Sequence, residues 1–348
     1  MKDREGEQMR KVLIIGGTGT ISTAVVRALA EEGTWDITLL NRGNRGITLP
    51  GGVRTITADI HDEKAVQEKL GDACFDVVCD FIGFRREDAE RDFRLFQGRT
   101  GQFIFISSAS AYHKPSASPF ITEGTTLANP YWQYSRDKIA CEEYLMTRLR
   151  EDHFPVTIVR PSHTYDERRL PVAVHGDRGS WQVLLRMLRH QPVIIPGDGT
   201  SLWTVTFNTD FARGFTGLMG NPQAVGEVFQ ITGDEVLTWN QIYQIIADEL
   251  GVPLIPYHVS SDFLAETGAR YDLRGQLLGD KASSVIFDNR KLKRLVPDMG
   301  TTVPFYQGAH LAVSYIRSHP ECRIEDPDFD EWCGRVVQSL ESAKNALI

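Results

Sequence analysis

The stretch KVLIIGGTGTIS, residues 11–22, decides the fold. Its apolar run stops at Gly16, and apolar positions resume with helical spacing from Ile21 to Ala30, which is the pattern of a strand, a tight turn and a helix. In such a turn Gly16 and Gly19 let backbone amides approach a pyrophosphate at the helix N-terminus, with Thr18, Thr20 and Ile21 completing the candidate binding turn. Ser22 stands where the usual fingerprint has its third glycine, and this small residue still permits close packing.

Outward from that turn the alternation continues. Strand candidates are DITLL at 36–40, VRTITAD at 53–59, FDVVCDF at 75–81, GQFIFISS at 101–108 and PVTIVRPS at 155–162, separated by helix-length segments such as RREDAERDFRLF and YSRDKIACEEYLMTRLR. Strands rich in Val and Ile without strict polar alternation suit a parallel sheet covered on both faces. After Pro161 the rhythm breaks into turn-rich segments with a helical WQVLLRMLRH between them, then a helix-like DFARGFTGLMG, a strand-like VGEVFQIT and a helix over WNQIYQIIADELG. Near the C-terminus Phe329, Trp332, Val336 and Leu340 fall on one helical stripe, which suits core closure. The expected fold is α/β: a Rossmann-type parallel sheet with helices on both faces and a smaller mixed C-terminal lobe. Residues 9–170 form the nucleotide core with further elements from 200–250, and residues 171–199 and 251–345 form the substrate lobe.

Composition narrows the partners. The 348 residues are 41% hydrophobic and 24% charged, as in an ordinary folded chain. Forty-six acidic against 38 basic side chains give a net charge of -8, without a block of Lys and Arg, so nonspecific nucleic-acid binding is disfavoured. The charged N-terminus lacks a signal-peptide core and no run approaches a membrane span, so the expectation is a cytoplasmic protein without a membrane partner. The five cysteines are scattered and the nine histidines lack metal-ligand spacing, so no metal is expected.

The second strand ends in Asn41-Arg42-Gly43-Asn44-Arg45, where NAD sites usually place an acid for the ribose hydroxyls. Arg42, helped by Arg45, suits the 2'-phosphate of NADP, and two solvated loop arginines are the alternative. The cofactor expected is therefore NAD(P), with NADP slightly favoured. Asp59, followed by Ile60 after the third strand, suits the adenine edge or a helix N-cap.

Tyr134 and Lys138 are four residues apart, so a helix sets them on one face. An ammonium beside a phenol stabilises tyrosinate and can bind a cofactor ribose, which makes Tyr134 a proton donor or acceptor toward a substrate hydroxyl or carbonyl. Ser107 and Ser108 emerge from IFISSASAY at the expected carboxyl edge of the sheet, where Ser108 can orient the reacting oxygen.

Together GGTGTIS, ISSASAY and YSRDK resemble the extended short-chain dehydrogenase/reductase family, particularly its NAD-dependent epimerase/dehydratase branch. The resemblance implies a Rossmann-type domain, an NAD(P) cofactor and a Ser108, Tyr134 and Lys138 centre. Arg160-Pro161, Pro196-Gly197-Asp198-Gly199 and Asn208-Thr209-Asp210 are similar to segments of that branch. By the same resemblance Pro161 and His163 border the cofactor, the latter through a backbone contact. Trp203 stands where many nucleotide-sugar enzymes have a basic diphosphate contact, so a simpler sugar or polyol is an alternative to a sugar nucleotide. His175, Asp177 and Arg178 suit a hydroxylated-substrate pocket or a solvated connection, and no reaction step is assigned to Tyr165, Asp166, Arg168 and Arg169. Family behaviour also implies a homodimer through helices near Tyr134. The function expected is hydride transfer on a sugar, sugar nucleotide or polyol, by an epimerase or a dehydrogenase. The alternatives are a noncatalytic dinucleotide-dependent regulator and an RNA-binding relative, the latter suggested by the likeness of the Asn41-Arg42-Gly43 turn to atypical members of the family.

Overall fold

The computed structural model describes residues 9–43 and 48–348, so Asn44 and Arg45 lie outside the described residues. Its centre is a seven-stranded sheet in which every neighbouring pair is parallel. Five of the strands are β1 (Arg10–Ile15), β2 (Trp35–Asn41), β3 (Arg54–Thr57), β4 (Phe75–Asp80) and β5 (Thr100–Ile106). They lie in the order β3, β2, β1, β4, β5, followed by strands Val156–Pro161 and Val228–Ile231.

The apolar run that opens β1 is continuous because both of its faces are covered. Val12 and Ile14 turn toward helix α1 (Thr20–Glu32) and helix Asn208–Leu218. Leu13 and Ile15 turn toward helices α2 (Glu63–Leu70), α3 (Arg86–Phe96) and α4 (Gln133–Asp152). Alternate side chains of one strand thus anchor two helical layers, the condition that stabilises a parallel sheet. Asp62 precedes α2, and its side chain accepts the Ala65 N–H and caps the helix.

A second apolar cluster is built around Trp203 and Trp239, stacked with centroids 5.4 Å apart, together with Tyr243, Phe305, Phe329 and Trp332. The C-terminal helix Pro327–Asn345 buries Phe329, Trp332 and Val336 here and packs Leu340 against the rim. Packing crosses the sequence order in both directions. Residues 202–207 and 239–250 join this cluster, whereas Leu292, Val296 and Met299 cover the central sheet. No helix among the described residues is long and apolar enough to cross a membrane.

Candidate active site

The carboxyl ends of β1, β4, β5 and strand Val156–Pro161 open onto one cleft, as the reversal of strand order beside β1 requires of a doubly wound sheet. Gly16 follows β1 at φ +80°, and a Cβ there would stand 2.4 Å from Ile82 Cγ2, so both conformation and contact demand glycine. Gly19 caps α1. Ser22 is fully buried; its hydroxyl accepts the Gly19 N–H and donates to the Gly16 carbonyl, each at 2.8 Å. The residue that departs from the glycine fingerprint therefore clamps the turn in place of loosening it. Thr20 and Ile21 begin the helix, where first-turn amides have no intrahelical acceptor and suit an anionic phosphate.

Asn41 ends β2, and Arg42 is exposed immediately beyond it. Asp59 accepts the His61 N–H at 3.0 Å in a local turn, Asp62 performs the helix capping, and Ile60 is buried between them. This glycine cradle, helix terminus and acid-free edge fit a dinucleotide laid across the sheet.

Asn129 sets the start of α4. Its Oδ1 accepts the Tyr131 and Trp132 N–H groups, and its amide donates to the carbonyls of Ser110 and Gly279, joining the helix to the loop after β5 and to the C-terminal lobe. One turn along, Tyr134 and Lys138 share a face. Lys138 is 1% exposed, and its ammonium donates to the carbonyls of Gly83 and Ile106, each at 2.6 Å. It lies 5.8 Å from the Tyr134 ring centroid. The ammonium is thus anchored on the sheet edge and retains one of its three N–H donors for a ligand. Burial lowers Lys138 to about 8, against nearby acidic groups that favour its charge.

Burial pushes the Tyr134 phenol up to about 12, and a hydrogen bond from Ser108 opposes that shift. Ser135 donates to Ser110 at 2.8 Å, and Ser110 lies 2.9 Å from Ser108. With Ser110 accepting from Ser135, its own hydrogen is directed to Ser108, whose hydrogen is then free for the phenol or a substrate oxygen. Ser110 and Ser135 were missed by sequence reasoning, although Ser135 directly follows Tyr134 and its burial was implied by helical phase.

Ser107 points elsewhere: its hydroxyl donates to Glu142, which also accepts two hydrogen bonds from Arg160 at 2.9 and 2.5 Å. Arg160 and Ser107 therefore brace α4 against the sheet. Pro161 and His163 line the same cavity as Tyr134. His163 Nδ1 accepts the Trp203 indole N–H at 3.1 Å, which places the imidazole hydrogen on Nε2, and burial holds its pKa well below 6.5, so it is neutral. Trp203 itself is 2% exposed and belongs to the apolar cluster.

Ser108, Ser110, Trp132, Tyr134, Pro161 and His163 border a cavity of about 300 Å³. Its remaining wall includes Arg169, His175, Gln276, Asp280 and Lys281. The last three come from the π-helix Arg274–Lys281, an element with no clear signature in the sequence. Of the other polar candidates, Tyr165, Asp166, Arg168 and Arg178 line a neighbouring cavity of about 560 Å³ with Thr20, and Asp177 is exposed outside both.

The sequence model of the NAD dependent epimerase/dehydratase family matches residues 12–232. The chain belongs to that family. It is 26% identical over 263 residues to 2'-dehydrokanamycin reductase of Streptomyces kanamyceticus, covering 75% of this chain and 72% of the relative. It is 27% identical over 257 residues to chloroplast stem-loop binding protein of 41 kDa b of Arabidopsis thaliana, covering 70% and 64%. UDP-glucuronic acid 4-epimerase from Bacillus cereus, solved with UDP-glucuronic acid and NAD, superposes with a TM-score of 0.69 at 19% identity, covering 88% of this chain and 99% of that one. Family member and neighbour thus share the α/β architecture built above.

Proposed function

We propose that this family member is an NAD(P)-dependent oxidoreductase or epimerase that transfers a hydride at a hydroxyl-bearing carbon of a sugar, sugar nucleotide or related polyol. The observation that carries this reading is that Ser108 and Tyr134 border one cavity, with the buried Lys138 ammonium 5.8 Å from the Tyr134 ring, in a sheet whose first strand ends in the Gly16–Thr20 turn. When bound, the dinucleotide supplies the hydride acceptor or donor. Gly16, Thr18, Gly19, Thr20 and Ile21 would hold its pyrophosphate, and Lys138 would use its remaining N–H on a ribose.

With its pKa near 12, Tyr134 is a neutral phenol at pH 7 and donates a proton to the oxygen formed in reduction. In oxidation the phenol must take up the hydroxyl proton after ionising; the Ser108 hydrogen bond lowers that cost, and a positive charge 5.8 Å from the ring acts in the same direction. Ser108, held by the serine chain, donates to the same oxygen; one such preorganised donor contributes about 3 kcal/mol to the barrier. An epimerase returns the hydride to the same molecule, whereas a dehydrogenase releases the altered cofactor.

The test is identification of any copurified dinucleotide by native mass spectrometry, followed by a sugar, polyol and sugar-nucleotide panel read by nicotinamide absorbance and product epimer analysis. Tyr134→Phe is expected to bind cofactor with unchanged affinity and to lose hydride transfer about 10²- to 10⁴-fold. Wild-type turnover in Tyr134→Phe refutes the phenol's role. Arg42, exposed at the end of β2 with no acid beside it in the turn sequence Asn41-Arg42-Gly43, supports NADP over NAD. Arg42→Ala should weaken NADPH binding about tenfold and leave NADH binding unchanged. The likeness to the Arabidopsis stem-loop binding protein favours RNA association as a second reading; its test is filter binding of a stem-loop RNA at low salt, with absence of retention as the refuting result.

A further inference from the structure

Resting on the hydride-transfer reading, a second set of side chains bears on the charge of the substrate. The cavity that holds Tyr134 and Ser108 is also bordered by Arg169, from the turn after strand Val156–Pro161, and by Lys281 of the π-helix. Among the described residues no carboxylate lies within ion-pair distance of the Arg169 guanidinium, although its neighbour Arg168 is paired with Asp166. The stem of Arg169 rests on Gly179, which sits at φ +86° and whose added Cβ would meet Arg169 Cδ at 3.1 Å, so the backbone turn is shaped to seat that side chain.

Lys281 is 6% exposed, with its ammonium held by the Ala173 carbonyl and Gln276 Oε1, each at 3.1 Å. Asp280 is the acid lining this cavity, and it faces Lys114 Nζ at 3.7 Å, so its charge is already countered from behind the wall. The two imidazoles add no charge. His175 donates from Nδ1 to the Gly176 carbonyl at 2.8 Å and is lowered to about 3 by burial, while His163 is neutral. The cavity thus holds more cationic than anionic charge, and its free guanidinium is a bidentate donor.

We propose that the reacting molecule carries an anionic group, a carboxylate or a phosphate monoester, on its own sugar-like skeleton, bound by Arg169 and Lys281. Both cations border the cavity of about 300 Å³ that holds Tyr134, Lys281 from within it and Arg169 at its boundary with the neighbouring cavity of about 560 Å³, so the anion belongs to the ring being oxidised or reduced. Trp203 agrees: the position is part of the stacked apolar wall and presents no cation for a diphosphate. The same charge balance disfavours a polycationic sugar.

The experiment is calorimetric titration of the cofactor-loaded protein with D-glucuronate, glucose 6-phosphate, glucose, UDP-glucose and kanamycin, in wild type and Arg169→Ala. At least one of the two small anions should bind, and Arg169→Ala should weaken it about 10- to 100-fold with cofactor affinity unchanged. Glucuronate alone binding identifies a carboxylate; glucose 6-phosphate alone identifies a phosphate. Arg169→Lys should recover part of the loss, which a packing role would not give. Failure of both anions to bind, or equal binding in Arg169→Ala, overturns the inference, as does Arg169-dependent binding of UDP-glucose alone. Anion binding without hydride transfer leaves the inference standing and breaks the proposed reaction instead.

Discussion

The two walls of the cleft are made in different ways. The cofactor wall is largely backbone: the Gly16–Thr20 turn, the first amides of α1, and the Gly83 and Ile106 carbonyls that hold Lys138. The opposite wall is side chains delivered one at a time from distant segments, with Arg169 and His175 before the helix at Trp181 and Gln276, Asp280 and Lys281 from a π-helix a hundred residues later. A wall of main-chain groups constrains the fold and tolerates many sequences. A wall of individual side chains can change its ligand without changing the sheet, which is how one fold accommodates many substrates.

The comparison breaks most severely at the one side chain on which the backbone wall depends. Lys138→Met leaves two buried carbonyls without their charged donor, at a cost of about 1–3 kcal/mol each, and removes the charge beside Tyr134. Hydride transfer should fall about 10²-fold or more, with weakened cofactor binding and a lowered urea midpoint. Turnover and stability equal to wild type would show that the wall does not need the ammonium.

On the substrate wall, the sharper probe is pH. Burial lowers Lys281 to about 8 from an ordinary 10.5. Below pH 8 both folded and unfolded chains hold the proton, and the full burial penalty is present. Between 8 and 10.5 the unfolded chain holds a proton that the folded chain has released, so this group makes folding more favourable as pH rises. Wild type should therefore gain about 1–2 kcal/mol of stability relative to Lys281→Met between pH 8 and pH 10, read by urea unfolding at each pH. A pH-independent difference would mean that Lys281 is solvated.

The smallest effect lies back in the nucleotide turn. Ser22→Gly restores the usual third glycine but removes the bonds to Gly16 and Gly19 and inserts a glycine into α1, so a loss of about 1–2 kcal/mol is expected with cofactor affinity nearly unchanged. A stabilised variant would show that the serine clamp contributes nothing.

This division also explains what could be seen in the chain beforehand. The sheet was legible because Val12 to Ile15, Val77 to Cys79 and Phe103 to Ile106 are apolar on both faces, a demand that leaves little choice of residue. Tyr134 and Lys138 were legible because four-residue spacing on a helix is a local property. Lys281 and Gln276 were not, because their approach to Tyr134 depends on the packing of a short π-helix against Trp132 and Asn129, contacts about 150 residues apart in sequence. Ser107 illustrates the same limit at closer range: strand phase decides that it faces Glu142 while its neighbour Ser108 faces the cleft. Arg169 stood beside Arg168 in one charged run, and only the Asp166 pairing separates the occupied guanidinium from the free one.

The central claim, that the phenol and ammonium of one helix turn face the reactive end of a dinucleotide, is tested most directly by a crystal structure with NADP or NAD bound. The predicted result has the pyrophosphate at the Gly16–Thr20 turn, Lys138 on the ribose and the nicotinamide ring between Tyr134 and the Pro161–His163 wall. A dinucleotide bound with its nicotinamide outside this cleft, and Tyr134 out of reach of it, contradicts the claim.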